Sequence, residues 1–200
     1  HPEALYFLAR DADANVRRAV ALNAATPVQA STLLAHDASP DVRLVLAARL
    51  VELLPGLSVE KHSQLYAYAV QALGVLAQDE VLKIRQALST ALKDHAKAPP
   101  KVVGQLARDV EREVSEPILR FCVALSDDDL LDILGNHPQS WVISAIAGRK
   151  SVSARVSTAV FETKDMTANT ILLRNAGSTL AAETLQKIID QSRDSPDWHE

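Results

Sequence analysis

A short pattern of residues recurs four times along this 200-residue chain and limits what it can fold into. Each copy reads Leu-Ala-x-Asp, with a β-branched residue five positions after the Asp. The Leu stands at positions 8, 34, 76 and 106, so successive copies are 26, 42 and 30 residues apart. Repeats of this length are typical of helical arrays, in which each unit buries its apolar face against the next. We therefore predict a series of stacked units rather than a single central core.

Apolar residues follow the helical period within the copies. After Asp37, for example, Val42, Val45 and Leu46 lie at i, i+3 and i+4, the spacing of one helix face. Hydrophobic residues make up 48% of the chain, yet only three Phe, three Tyr and two Trp contribute to that share. Small aliphatic side chains favour close packing of helices, and no segment alternates over the length of a strand. The sequence thus predicts an all-α fold, an irregular α-solenoid of stacked helical hairpins.

Proline marks the predicted ends of helices. The pair Pro55-Gly56 is expected to end one helix. Ala98-Pro99-Pro100 is the clearest interruption in the chain, because two successive prolines are excluded from a helix interior. The predicted domains are N-terminal helical repeats over residues 1–98, C-terminal helical repeats continuing the same solenoid over 99–192, and a frayed tail over 193–200.

The repeated charged residues admit more than one interpretation. An Asp just before a helix suits an N-cap or first-turn anion, since its carboxylate meets unpaired backbone N–H groups there. An Arg at one position of successive units would form a column, each guanidinium able to reach the Asp of its own or a neighbouring turn. The alternative is a row of guanidinium groups lining a groove for phosphate or carboxylate. We predict a structural ladder with opposite charges paired within each unit, formed by Asp11, Arg17, Asp37, Arg43, Asp79 and Arg85.

The sequence contains no recognisable catalytic or metal-binding pattern. The six histidines lack ligand spacing, and the six glycines are isolated, which excludes a glycine-rich phosphate loop. The single cysteine, Cys122, stands in an apolar run, where we expect it to be a small buried residue. We therefore predict that the protein is not an enzyme and has neither a cofactor nor a metal site.

Charge and hydropathy bear on location and partners. The net charge is −4, and the excess of acid lies in residues 101–200, which hold 11 basic and 15 acidic groups. This balance argues against nucleic acid as a partner. No run of about 18 uninterrupted apolar residues occurs, so we expect no membrane association. The lone cysteine excludes an internal disulfide and fits a reducing cytoplasm, and a chain that begins at His1 rather than Met is expected to be an excised fragment.

Particular segments resemble known families. The repeated units resemble HEAT-like repeats, which implies a HEAT-like superhelix, and with the turn Asn23-Ala24-Ala25-Thr26-Pro27 they are similar to leucine-rich repeat variant units. The second half contains, in order, Glu116-Pro117-Ile118-Leu119, Leu125-Ser126-Asp127-Asp128-Asp129-Leu130, Ala145-Ile146-Ala147-x-Arg149, Val152-Ser153 and Leu172-x-x-Asn175-x-Gly177. These segments resemble the bacterial, largely alphaproteobacterial, family called domain of unknown function 2336. The resemblance covers about residues 1–190 with the first repeats included, and it implies an α-helical repeat protein with no assigned activity.

These observations lead to two hypotheses about function. Stacked helical hairpins form extended surfaces, which usually bind peptides or folded proteins, so the first hypothesis is a protein–protein interaction scaffold or regulatory module. The alternative is a nucleic-acid-binding HEAT-like repeat protein, because some HEAT-like proteins grip the duplex backbone on a basic face. The sequence specifies neither the protein partner nor the oligomeric state.

Overall fold

The computed structural model describes residues 1–57, 64–136 and 139–194, with side chains up to residue 190. Within these ranges the chain forms thirteen α-helices and no strand, so the all-α prediction is confirmed. The residues divide into two compact units, His1–Ile118 with Cys122–Ala124, and Leu119–Phe121 with the described residues from Leu125 onward. None of the described helices combines the length and apolar content needed to cross a bilayer.

The first unit contains four helical hairpins, one for each copy of the repeat. The second helices form one layer, in which α2 packs on α4 and α4 on α6, and the first helices form another, in which α3 packs on α5 and α5 on α7. This is the stacking of hairpins that the repeat predicts. The helices are α1 (Pro2–Leu8), α2 (Ala14–Leu22), α3 (Ala30–Leu34), α4 (Pro40–Leu57), α5 (Gln64–Leu76), α6 (Leu82–Leu92), α7 (Pro100–Leu106) and α8 (Arg112–Phe121).

The repeated Leu-Ala pair explains why the layers come close together. In every copy the alanine is buried at the end of the first helix, where its single methyl group leaves room for the neighbouring hairpin. The β-branched residue five positions after the Asp is fully buried in the last three copies and anchors the second helix. The alanines are Ala9, Ala35, Ala77 and Ala107, and the β-branched residues of the last three copies are Val42, Ile84 and Val114.

Pro55 has a different role from the one predicted. Helix α4 continues through Pro55 to Leu57, so the expected helix end at Pro55-Gly56 is wrong. Pro55 lies in the last turn, where the fixed φ of proline suits a helix and only one backbone hydrogen bond is lost. Pro100 begins α7 inside the first unit. The division at residues 98 and 99 stays a prediction, and most of the expected frayed tail lies outside the described residues.

The second unit contains five helices, in which α9 packs on α11 and α10 on α12. A single parallel bridge joins Val152, just before α11, to Ser178, which follows α12. Its apolar core includes Ile133, Ile146 and Val160, each nearly or fully buried. The helices are α9 (Asp127–Asn136), α10 (Ser140–Ala147), α11 (Ala154–Glu162), α12 (Met166–Arg174) and α13 (Ala182–Asp194).

Candidate functional site: an ionic ladder and the grooves beside the helices

The arginines of the repeat bind the aspartates of the next repeat, and we call this column of ion pairs the ladder. Each guanidinium faces a carboxylate in a two-point arrangement, Nε to Oδ2 and Nη2 to Oδ1, which is the strongest geometry for such a pair. The Nε–Oδ2 distances are 2.6, 2.6 and 2.7 Å along the chain. The pairs are Arg17–Asp37, Arg43–Asp79 and Arg85–Asp109.

Each guanidinium also donates a hydrogen bond within its own unit, to a backbone carbonyl oxygen. Arg43 Nη1 donates to the carbonyl oxygen of Asp37 at 2.6 Å, and the first and third arginines repeat this contact at 2.7 Å with Asp11 and Asp79. The predicted pairing of charges within a unit, such as Asp37 with Arg43, is therefore wrong. The side chain of Arg43 spans the turn of its own unit and ends at the carboxylate of the next, so that one residue ties two hairpins together.

The aspartates of the repeat shape the turn before each second helix without capping it themselves. The N-caps of α2, α6 and α8 are Asp13, Val81 and Glu111, each two positions after the repeated aspartate. The aspartate Oδ1 accepts the backbone N–H of that later residue, at 2.8 to 2.9 Å, in an Asx turn. The N-cap interpretation is thus corrected, because the carboxylate organises the residue that caps the helix. Asp37 makes the same contact with Ser39 N at 2.8 Å.

Burial and hydrogen bonding control the charge state of the ladder. Burial alone would raise the pKa of Asp37, but hydrogen bonds from Arg17 and from Ser39 N–H, together with the nearby guanidinium charges, hold that pKa below its ordinary value. The hydrogen bond to Asp79 raises the pKa of Arg43 despite its burial. The middle pair is the most enclosed, with side chains 9% and 5% exposed. Asp37 and Arg43 therefore stay charged at neutral pH.

The ladder ends at the fourth copy of the repeat. Ser115 stands where the arginine would be, and its Oγ donates to Glu111 O within the same helix at 3.2 Å. The carboxylate of Asp109 is taken by Arg85 from the previous unit. Asp109 was therefore a member of the ladder that the predicted set of six residues did not include.

One buried arginine was not indicated by the sequence. Arg49 in α4 is only 6% exposed, and its Nη2 donates to the carbonyl oxygen of Thr26. Its Nε and Nη1 atoms have no hydrogen-bond partner in the described parts of the chain. Burial lowers the pKa of Arg49. Nothing in the run Ala47-Ala48-Arg49 distinguishes this arginine from a solvated one, because only the tertiary packing encloses it.

Each unit has an open groove between its helices. The groove of the first unit, about 690 Å³ in volume, lies between α5 and α7; we call it the α5–α7 groove. The groove of the second unit, about 620 Å³, lies between α9, α10 and α11. Sequence analysis predicted neither of them. The α5–α7 groove is lined by Tyr66, Ala67, Val70, Gln71, Gly74, Val75, Gln78, Lys101, Val102 and Gln105.

Three of the segments behind the family resemblance, those with Arg149, Val152 and Asn175, meet in the second unit at the end of α10. Asn175 donates to the carbonyl oxygens of Ala147 and Arg149, both at 2.8 Å, and accepts the N–H of Gly177 at 2.9 Å. Val152 N donates to Gly177 O at 3.0 Å. These contacts close the turns between the helices.

The described residues also allow a search for reactive or metal-binding groups. No three His, Cys, Asp or Glu side chains in these ranges come together as a metal site. Cys122 is fully buried, as its apolar neighbours predict, and its Sγ lies 3.9 Å from Leu92 O. The ladder arginines are bound to carboxylates rather than aligned along an open groove.

Stacked hairpins joined by an ionic ladder make this chain an α-helical repeat protein. Its residues 114–200 match the model of a family described as "Uncharacterised protein conserved in bacteria (DUF2336)", which confirms the resemblance over that segment. A solved structure with 27% sequence identity, described as "a leucine-rich repeat variant with a novel repetitive protein structural motif", covers 88% of this chain and 71% of its own, with a TM-score of 0.39. No curated protein matches the chain.

Proposed function

We propose that the protein is a non-enzymatic scaffold that binds a segment of another protein in the α5–α7 groove. The observation that carries the proposal is an open, partly apolar groove on helices whose neighbours are held in register by the ladder. Such a preformed surface binds a peptide without first losing conformational entropy of its own. A cytoplasmic location is part of the proposal and is supported by the single cysteine, which excludes an internal disulfide.

The lining of the groove suggests the chemistry of the partner. Val70, Val75 and part of Tyr66 offer apolar surface, and Lys101 contributes a cation at the rim. A short amphipathic segment with apolar side chains and a carboxylate would complement these groups.

The ladder supports a protein partner over a nucleic acid. Arg17, Arg43 and Arg85 form the one regular row of cations in the repeat, and each is neutralised by a carboxylate of the next unit. Phosphate groups would have to displace those carboxylates to use the row. The net charge of −4 further opposes the approach of a polyanion.

Two glycine substitutions test the groove with a matched control. Gly74 lines the groove and Gly56 lies outside it, and in both cases an added Cβ would meet no atom within 4 Å. Gly74→Glu should block the groove, whereas Gly56→Glu adds the same charge to a different surface. We expect both variants to melt no lower than the wild type, since glutamate favours a helix more than glycine does.

The readout is binding of a purified partner segment. The wild type and both variants are immobilised, and proteins of a cell extract that bind the wild type and Gly56→Glu but not Gly74→Glu are identified. The segment of such a protein that binds is then purified, and its affinity for all three proteins is measured by titration calorimetry. A segment that binds all three equally contradicts the proposed groove. Submicromolar binding of duplex DNA that weakens steeply with salt would instead favour the nucleic-acid alternative.

A further inference from the structure

The first hairpin exposes residues that the later hairpins bury. Leu8 at the end of α1 is 41% exposed, whereas Leu34, Leu76 and Leu106 at the same position of the repeat are each fully buried. Ala4 is likewise exposed, although Ala30 and Ala72, its counterparts in the second and third copies, have no accessible surface. The α1–α2 hairpin therefore presents an apolar edge that the repeat covers everywhere else.

The second helix of this hairpin shows the same difference. Val16 is half-buried, whereas its counterparts in the last three copies are 1% exposed or less. In those copies the second helix packs on a preceding hairpin, as α4 does on α2 and α6 on α4. The positions that are more exposed in the first copy than in the later copies are thus the ones that face a preceding hairpin there. The counterparts of Val16 are Val42, Ile84 and Val114.

The ladder is also open at this edge. Asp11 forms the same Asx turn as the other ladder aspartates, since its Oδ1 accepts the N–H of Asp13 at 2.8 Å. Every later carboxylate of the ladder receives an arginine of the preceding unit, but within the described residues no arginine donates to the carboxylate of Asp11. Arg17 contacts Asp11 only through the backbone carbonyl oxygen, at 2.7 Å.

We propose that the edge formed by Leu8, Asp11 and Val16 is a docking surface for a helical hairpin of the same repeat type that carries a ladder arginine. Its ladder arginine would bind the carboxylate of Asp11, and its apolar residues would cover Leu8 and Val16. A second copy of this chain is a poorer occupant, because its three ladder arginines are already bound to carboxylates and its fourth copy carries Ser115. This surface is separate from the α5–α7 groove, so the inference does not depend on the proposed function.

The repeat itself supplies the probe for a test. The first two copies are 26 residues apart, and Arg17 binds an aspartate 20 positions later. A duplicate of residues 1–26 placed directly before His1 puts the added Arg17 at the same distance from the original Asp11. Hydrogen exchange of the original α1 and α2 amides and thermal melting are compared between the extended and the original chain.

We expect the extended chain to protect the original α1 from exchange and to melt higher by about 2–4 °C or more. Arg17→Ala in the added copy should remove much of this gain. Arg18→Ala in the added copy, which deletes the same charge from an exposed neighbouring position, should leave the gain in place.

Three results would overturn the inference. The first is an extended chain whose original α1 exchanges as fast as before. The second is an equal loss for the Arg17→Ala and Arg18→Ala copies. The third is a concentration-dependent dimer of the original chain in light scattering that Leu8→Gln dissolves, since this would assign the edge to a second copy.

Discussion

Single arginine side chains connect neighbouring hairpins in this protein. The guanidinium of Arg43 contacts the backbone of its own turn at Asp37 and the carboxylate of Asp79 in the next unit. A buried ion pair is costly to break by removing one partner, because the other charge is left without compensation. The sequence places these residues at one position of successive units, but it assigns the wrong carboxylate to each arginine.

A double-mutant cycle measures this pairing. Arg43→Ala should lower the free energy of unfolding by about 3 kcal/mol, because it leaves Asp79 buried without its cation. The double variant with Asp79→Ala should cost less than the sum of the single changes. The cycle of Arg43→Ala with Asp37→Ala should show a smaller coupling, since Arg43 hydrogen-bonds only the backbone oxygen of Asp37 and the two side chains interact through charge alone. Equal coupling in both cycles, measured by urea denaturation, would contradict the pairing between units.

The stability of the ladder should also depend on pH. The pKa of Asp37 in the folded chain lies below its ordinary value of 3.8, so its carboxylate stabilises the fold above that pH. This contribution is lost as the pH falls from 3.8 through the folded pKa. Asp37→Asn should therefore be less stable than the wild type at neutral pH, and the difference should shrink in acid. The control Asp41→Asn changes an exposed acid of α4, and a difference between wild type and Asp37→Asn that is independent of pH would contradict the assignment.

At the scale of elements, turns rather than helices carry the most specific contacts. Helix α4 tolerates Pro55 because its last turn can lose one hydrogen bond. The turn after α12 is more constrained. Asn175 hydrogen-bonds the end of α10, and Gly177 lies against the backbone of Lys150. Periodicity predicts the helices, but close approaches between turns depend on residues that are distant in sequence.

Gly177 provides a direct test of that close approach. A Cβ added at Gly177 would lie 2.0 Å from the carbonyl oxygen of Lys150, so the backbone would have to move. Gly177→Ala should destabilise the protein by about 1–3 kcal/mol, the usual cost of overpacking. Gly135→Ala is the control, because nothing lies within 4 Å of its added Cβ and alanine favours the helix. A Gly177→Ala variant as stable as the control in chemical denaturation would contradict this geometry.

At the scale of the whole molecule, charge opposes the binding of nucleic acid. The chain carries a net charge of −4, and its ladder arginines are already neutralised. In the parts of the chain that the structure describes, the contacts left for a phosphate backbone are scattered surface cations, which give weak and nonspecific association.

We expect the dissociation constant for duplex DNA to be no tighter than about 10⁻⁶ M at physiological salt. Fluorescence anisotropy with a labelled duplex, repeated over a range of salt concentrations, provides the measurement. The variant Asp37→Asn is a useful comparison, because it removes the carboxylate that neutralises Arg17. Tighter binding by this variant alone would show that ladder arginines can reach phosphate when released, and tight binding by the wild type would contradict the prediction.

The sequence by itself determined the hairpins of the repeat, their order and the three arginines of the ladder, because these depend on local periodicity and on a repeated spacing. Tertiary structure decided which carboxylate each guanidinium binds. Arg43 and Asp79 are 36 residues apart, and the connection between their units varies too much in length for sequence spacing to select this partner over Asp37. The burial of Arg49 and the existence of the α5–α7 groove were decided in the same way, since both arise where helices from different hairpins pack together.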